Sequence, residues 1–128
     1  MYFVFVNNDN EATRLFENAL QEVDSKSVLS TIPSGYELIQ LLQNVKGGES
    51  FPDLIILTPK FLRISGAELL ELLKTDDLYR LIPVIMLLPE KNQDHEAVCH
   101  RLGTEFMDIP TDKLQWKNAI DKMYTAFS

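Results

Sequence analysis

The sequence lacks several features that would assign it to large functional classes. It has one cysteine, Cys99, in 128 residues. One thiol cannot close an internal disulfide, so a reducing compartment is expected. Lys and Arg number 12 against 19 Asp and Glu, a formal net charge of −7. A face for nucleic acid or an anionic membrane needs a basic surplus to release counterions, and the balance here runs the other way. No apolar run approaches the roughly 20 residues that span a bilayer. The opening MYFVFVNNDN has no basic segment and turns polar after six residues, unlike a signal peptide. A cytoplasmic location is therefore expected. Repeats and low-complexity tracts are also missing.

What is present is an alternation of short apolar runs and amphipathic stretches. Tyr2–Val6 is a continuous β-branched and aromatic run, the pattern of a strand buried on both faces. Asn8, Asp9 and Asn10 then offer N-cap chemistry. Ala12, Phe16, Ala19, Leu20 and Val23 share one helical face. Ser27–Ile32 reads as a second strand. Pro33-Ser34-Gly35 ends it and opens a helix to about Val45, with Ile39, Leu42 and Val45 in register. KGGESFPD, Lys46–Asp53, is linker-like but too short to separate a pair of domains, so residues 1–128 are expected to form one domain. Leu54–Leu57 is the third strand. Ser65–Lys74 is a helix with Leu69, Leu70 and Leu73 inward, and TDDLYRL is a turn. Ile82–Leu88, with Pro83 near its start and Pro89 after it, is the fourth strand. Glu90–Leu102 is a polar helix with a thin apolar stripe, and Gly103 suits its C-cap. Phe106–Ile109 is the fifth strand, ended by Pro110. Asp112–Phe127 puts Trp116, Ile120, Met123 and Phe127 on one helical face.

Strands and helices in strict alternation predict an α/β fold, a flavodoxin-like (βα)5 three-layer sandwich with a parallel five-stranded sheet of order 2-1-3-4-5. In that order the cleft lies at the carboxyl ends of the first and third strands. Asn7, Asn8, Asp9 and Thr58 fall there.

Pro52–Leu88 carries a more specific pattern. Pro52-Asp53 opens an apolar strand, Ser65-Gly66 closes the following loop, and Ile82-Pro83-Val84-Ile85 starts the next strand. With the Asp77-Leu78-Tyr79-Arg80 turn and FMDIP at Phe106–Pro110, the sequence resembles CheY-like response-regulator receiver domains from Tyr2 to about Phe127. The resemblance implies a module of two-component phosphorelay signalling. That family binds Mg²⁺ with an acidic pair after the first strand and takes a phosphoryl group on an aspartate after the third. A Thr or Ser after the fourth strand hydrogen-bonds the group, and a lysine ending the fifth holds it by charge. Carried over position by position, the acidic pair falls on Asn7 and Asn8 and the acceptor on Thr58. The switch hydroxyl falls on Leu88 and the lysine on Ile109, while Leu62 replaces a loop proline. The resemblance is therefore to a degenerate, pseudo-receiver type.

Each departure removes one component of the machinery. Mg²⁺ takes oxygen ligands, usually with one or two carboxylates, and asparagine carbonyls carry no charge. Asp9, one step past the pair, is the residual carboxylate. Thr58 cannot form an acyl phosphate, and a hydroxyl is a weak nucleophile without a base. Leu88 cannot donate a hydrogen bond, and Ile109 cannot neutralise a phosphoryl charge. Lost or weak Mg²⁺ binding, no other cofactor and no enzymatic activity are expected. Removing both signs of charge leaves a neutral pocket without a buried unpaired charge, with Leu88 and Ile109 closing over Thr58. A stand-alone domain acting by protein–protein contact follows. The alternative is a receiver still switched by phosphorylation, at Thr58 or Asp9. A flavin site fits less well, because NNDNEA lacks the Gly, Ser and Thr of a flavin phosphate loop.

The remaining reactive residues read as structural. HEAVCH separates its histidines, His95 and His100, by five positions rather than the four a zinc-protease helix needs, so both are expected on the helix surface. Cys99 is expected as a quiet thiol and Trp116 as core. Phe106 stands where receivers carry the aromatic that moves on activation. The resemblance also implies a cis peptide at Ile109–Pro110, which a prolyl amide makes inexpensive. It further implies a protein partner, such as a histidine kinase or another signalling protein, docked on the fourth helix, fifth strand and fifth helix. That face carries Gln93, His95, Glu96, His100, Asp108, Lys113, Lys117 and Lys122.

Overall fold

Ten elements alternate along the chain in the computed structural model, which describes residues 1–45, 51–58, 66–88 and 93–127. They are β1 (Tyr2–Val6), α1 (Asn10–Val23), β2 (Val28–Ile32), α2 (Gly35–Gln43) and β3 (Leu54–Leu57). Then come α3 (Gly66–Thr75), β4 (Val84–Leu88), α4 (Gln93–Leu102), β5 (Glu105–Asp108) and α5 (Lys113–Phe127). The strands form one parallel sheet in the order β2-β1-β3-β4-β5. This is the predicted flavodoxin-like (βα)5 arrangement. Lys46–Ser50 of the expected linker, Leu62, Ser65, Pro89 and Glu90 lie outside the described residues. So do the side chains of Gln93 and His95. Among the described residues no helix is long and apolar enough to cross a membrane.

Register sorts the apolar side chains into two layers. Phe5 pairs with Ile56 and Ile56 with Ile85, while Val6 pairs with Leu57 and Leu57 with Met86. Successive strand residues point to opposite faces. Phe3, Phe5, Leu54, Ile56, Ile85 and Leu87 pack under α1 and α5 with Phe16, Leu20, Trp116 and Ile120. Val4, Val6, Ile55, Leu57, Met86 and Leu88 pack on the other side with Leu38, Leu69, Leu73 and Cys99. Each large side chain so buried contributes roughly 1.5–3 kcal/mol. That is why the three central strands read as continuous apolar runs rather than alternating ones.

Boundaries moved where a backbone group had another task. β4 begins at Val84, two residues after Ile82, because Pro83 has no N–H to donate to the ladder, although its carbonyl still accepts from Ile55 N at 2.9 Å. In α2 the buried residues are Leu38 and Leu42 while Ile39 is only half-buried, so the inner face is turned one position from the expected Ile39–Leu42–Val45 stripe. Gly35 starts that helix against α3, where a Cβ would stand 3.1 Å from Leu69 Cδ2. Gly103 ends α4 with φ 66°, the left-handed conformation only glycine adopts freely.

Candidate functional site

The carboxyl ends of β1 and β3 meet at a small polar cluster. Asn7 follows β1 and is 2% exposed. Its Nδ2 donates to the Asp9 carbonyl at 2.9 Å and to Thr13 Oγ1 at 3.1 Å, while its Oδ1 has no partner among the described residues. Asn8 is exposed. Asp9 is the N-cap of α1, and its Oδ1 accepts from the amides of Glu11 at 3.0 Å and Ala12 at 3.5 Å. Thr58 follows β3, is 2% exposed, and donates its hydroxyl to the Val6 carbonyl at 2.9 Å. Among the described residues the cluster thus holds one carboxylate, already occupied at a helix terminus, and a hydroxyl turned to backbone. Among the described residues no group of three His, Cys, Asp or Glu could hold a metal ion.

Leu88 and Ile109 do not jointly cap Thr58. Leu88 is buried in the α2–α4 layer, whereas Ile109 is half-buried against the α1–α5 layer. They are joined instead by backbone, with Ile109 N donating to Leu88 O at 3.0 Å. The expected cis peptide at Ile109–Pro110 is corrected: no cis peptide is present among the described residues, and this bond is trans. Trans is the favoured isomer by about 0.5–1 kcal/mol.

Leu88 and Ile109 do share one feature, a groove of about 500 Å³ between α4, β5 and α5. Leu88, Phe106, Ile109, Pro110 and Ala119 supply its apolar lining, and Glu96, Asp108 and Lys122 its charges. Phe106 is half-buried, and its ring stands edge-on to the exposed His100 ring. Lys113 and Lys117, expected on this surface, turn to α1, where both pair with Glu22. Cys99 is fully buried with its Sγ 3.9 Å from Met86 Sδ, and burial, then the Glu96 charge, pushes its thiol pKa up. Its burial fits the expected quiet, packed thiol. Trp116 is core, packed among Phe5 and Phe16.

A second polar cluster escaped sequence reasoning. Tyr124 of α5 and Ser27 both donate to Asp24 Oδ2, at 2.8 and 2.9 Å. These bonds, Tyr124's first, hold the Asp24 carboxyl below its ordinary pKa. Residues 24 and 124 are too far apart in the chain for any spacing rule to join them. Thr13, the partner of Asn7, was missed for a different reason: a threonine in a helix carries no distinctive signal.

No protein-family model matches the sequence, and nothing matches it among curated proteins. Solved structures do match. The chain is similar to the phosphorylated cyanobacterial phytochrome response regulator RcpA at 22% identity and TM-score 0.85, covering 98% of this chain and 92% of that one. It is similar to the Mn²⁺-bound response regulator Rcp1 at 18% identity and TM-score 0.82, over 97% and 91% of the two chains. For the chemotaxis response regulator CheY4 of Vibrio cholerae the values are 16% and 0.75, over 94% and 96%. The fold is that of response-regulator receiver domains.

Proposed function

We propose that this chain is a receiver-type domain of two-component signalling whose phosphorylation site has been dismantled, and that it acts by protein–protein contact. The observation that carries this reading is the buried Thr58 hydroxyl bonded to the Val6 carbonyl, where a receiver needs a carboxylate. Asn7 and Asn8 beside it add no charge, and Asp9 already caps α1. A hydroxyl cannot form an acyl phosphate, and a hard cation finds too few anionic oxygens. The groove between α4, β5 and α5 is the docking surface in this reading, because it pairs an apolar floor with Glu96, Asp108 and Lys122 at its edges. The partner is a protein, with a histidine kinase among the candidates.

Incubation with acetyl phosphate and Mg²⁺, followed by intact-mass measurement, tests it. The expected result is no added phosphoryl group. A phosphorylated product mapped to Asp9 or Thr58 would overturn the reading in favour of a receiver switched at a non-standard residue.

A further inference from the structure

The sheet has two edges, and only one of them carries charge. β5 has exposed acids at both ends, Glu105 and Asp108, and charge is a common way to blunt an edge strand. β2, at the other edge, is Val28-Leu29-Ser30-Thr31-Ile32 and has none. Val28 N donates to Met1 O at 3.0 Å, and Ile32 O accepts from Asn7 N at 2.9 Å. Main-chain groups of alternate strand residues point the same way. Those of Val28, Ser30 and Ile32 therefore face β1, and those of Leu29 and Thr31 face outward. The next outward positions are closed. Ser27 N donates to Asp24 O at 3.2 Å, and Pro33 has no N–H. The open N–H and C=O groups of Leu29 and Thr31 are thus disposed symmetrically about Ser30.

We propose that β2 pairs antiparallel with β2 of a second copy of this chain, on a twofold axis at Ser30. Leu29 then lies opposite Thr31 of the second copy, and each such pair exchanges both of its open N–H···O bonds. Val28 lies opposite Ile32 of the second copy, on the face that carries α2. Val28 is 58% exposed, and this pairing gives it an apolar neighbour. Ile32 lines a groove of about 600 Å³ with Tyr2, Leu41 and Val45, and the register aims Val28 of the second copy at it. Charge agrees at the ends. Lys26 precedes β2 and Glu37 follows it in the first turn of α2, neither in an ion pair among the described residues. Antiparallel pairing brings the Lys26 end of each strand to the Glu37 end of the other. A like pairing of β5 would bring acids together instead. The contact is isologous, so it closes at two copies. The groove between α4, β5 and α5 lies at the opposite edge and stays open in both.

Sedimentation equilibrium from about 10 to 500 μM tests the proposal, a range suited to a small interface. Wild type should pass from monomer to dimer with concentration and go no further. Val28→Lys, at an exposed position, should raise the dissociation constant about tenfold or more, with the fold kept by circular dichroism. Ser30→Cys should form a reducible dimer on mild oxidation, because residues on the axis stand within disulfide reach. Val28→Cys should not, despite its exposure, because the two copies of residue 28 lie roughly 13 Å apart along the pairing. Cys99 is fully buried and does not compete. A wild type that stays monomeric would overturn the proposal and leave the edge to a strand of another protein. A dimer indifferent to Val28→Lys, or Ser30→Cys crosslinking no better than Val28→Cys, would also overturn it. None of these readouts involves a phosphoryl group, so the reading of the Thr58 site stands or falls separately.

Discussion

Thr58 shows how one buried side chain is tied to the backbone of a neighbouring strand. Its hydroxyl is buried and bonded to Val6 O. Thr58→Val keeps the volume and removes the bond, and should lower unfolding stability by about 1 kcal/mol, read from the urea midpoint. Thr58→Asp should cost more, because a carboxylate would be buried there with no cation from the described residues beside it. The sign with pH follows. Burial raises the folded-state pKa, so the penalty is present at neutral pH and fades as pH falls through that raised value. A penalty that grew in acid would mean the new carboxylate had found a positive partner. The position of Thr58 was legible because the apolar run ends there. Its bond was not, since a hydroxyl at a strand end has several carbonyls within reach. A cap among Asn8, Asp9 and Asn10 was legible, because such residues before an amphipathic stretch commonly cap it; that Asp9 serves was settled only by its bonds to the Glu11 and Ala12 amides.

At the scale of elements, α1 and α5 are strapped together twice, by Glu22 with Lys113 and Lys117 and by Asp24 with Tyr124. Asp24→Asn should lower the thermal midpoint at pH 7. Asp24 is held below its ordinary pKa, so its contribution is present above the ordinary carboxylate range and is lost as pH falls through the depressed value. Wild type and variant should therefore converge in acid, and a gap that persists at pH 2 would assign the effect to packing instead. The existence and order of all ten elements were readable from period and punctuation. Their edges were less so: the start of β4 was set by the missing N–H of Pro83, and the inner face of α2 by the fit of Leu38 and Leu42 against the sheet. Tertiary contacts decide such details, and periodicity is blind to shifts of one residue.

The molecule as a whole is a sheet with two separate apolar layers, and its cleft end carries no compact cluster of acids among the described residues. Millimolar Mg²⁺ should leave the thermal midpoint unchanged. A rise that saturates with concentration would reveal a bound cation. Topology was legible from the sequence because βα alternation and right-handed crossovers leave few arrangements. Which helices clasp one another was not, because Glu22 and Asp24 meet partners about ninety to a hundred residues away. The division into layers has an optical side. The chain's single tryptophan, Trp116, lies wholly in the α1–α5 layer, its indole N–H without a partner among the described residues and its ring centroid 4.9 Å from that of Phe16. Its emission is a dye built into one half of the molecule. A binder that loosens α4 alone would alter amide exchange there and leave the colour of that light unchanged.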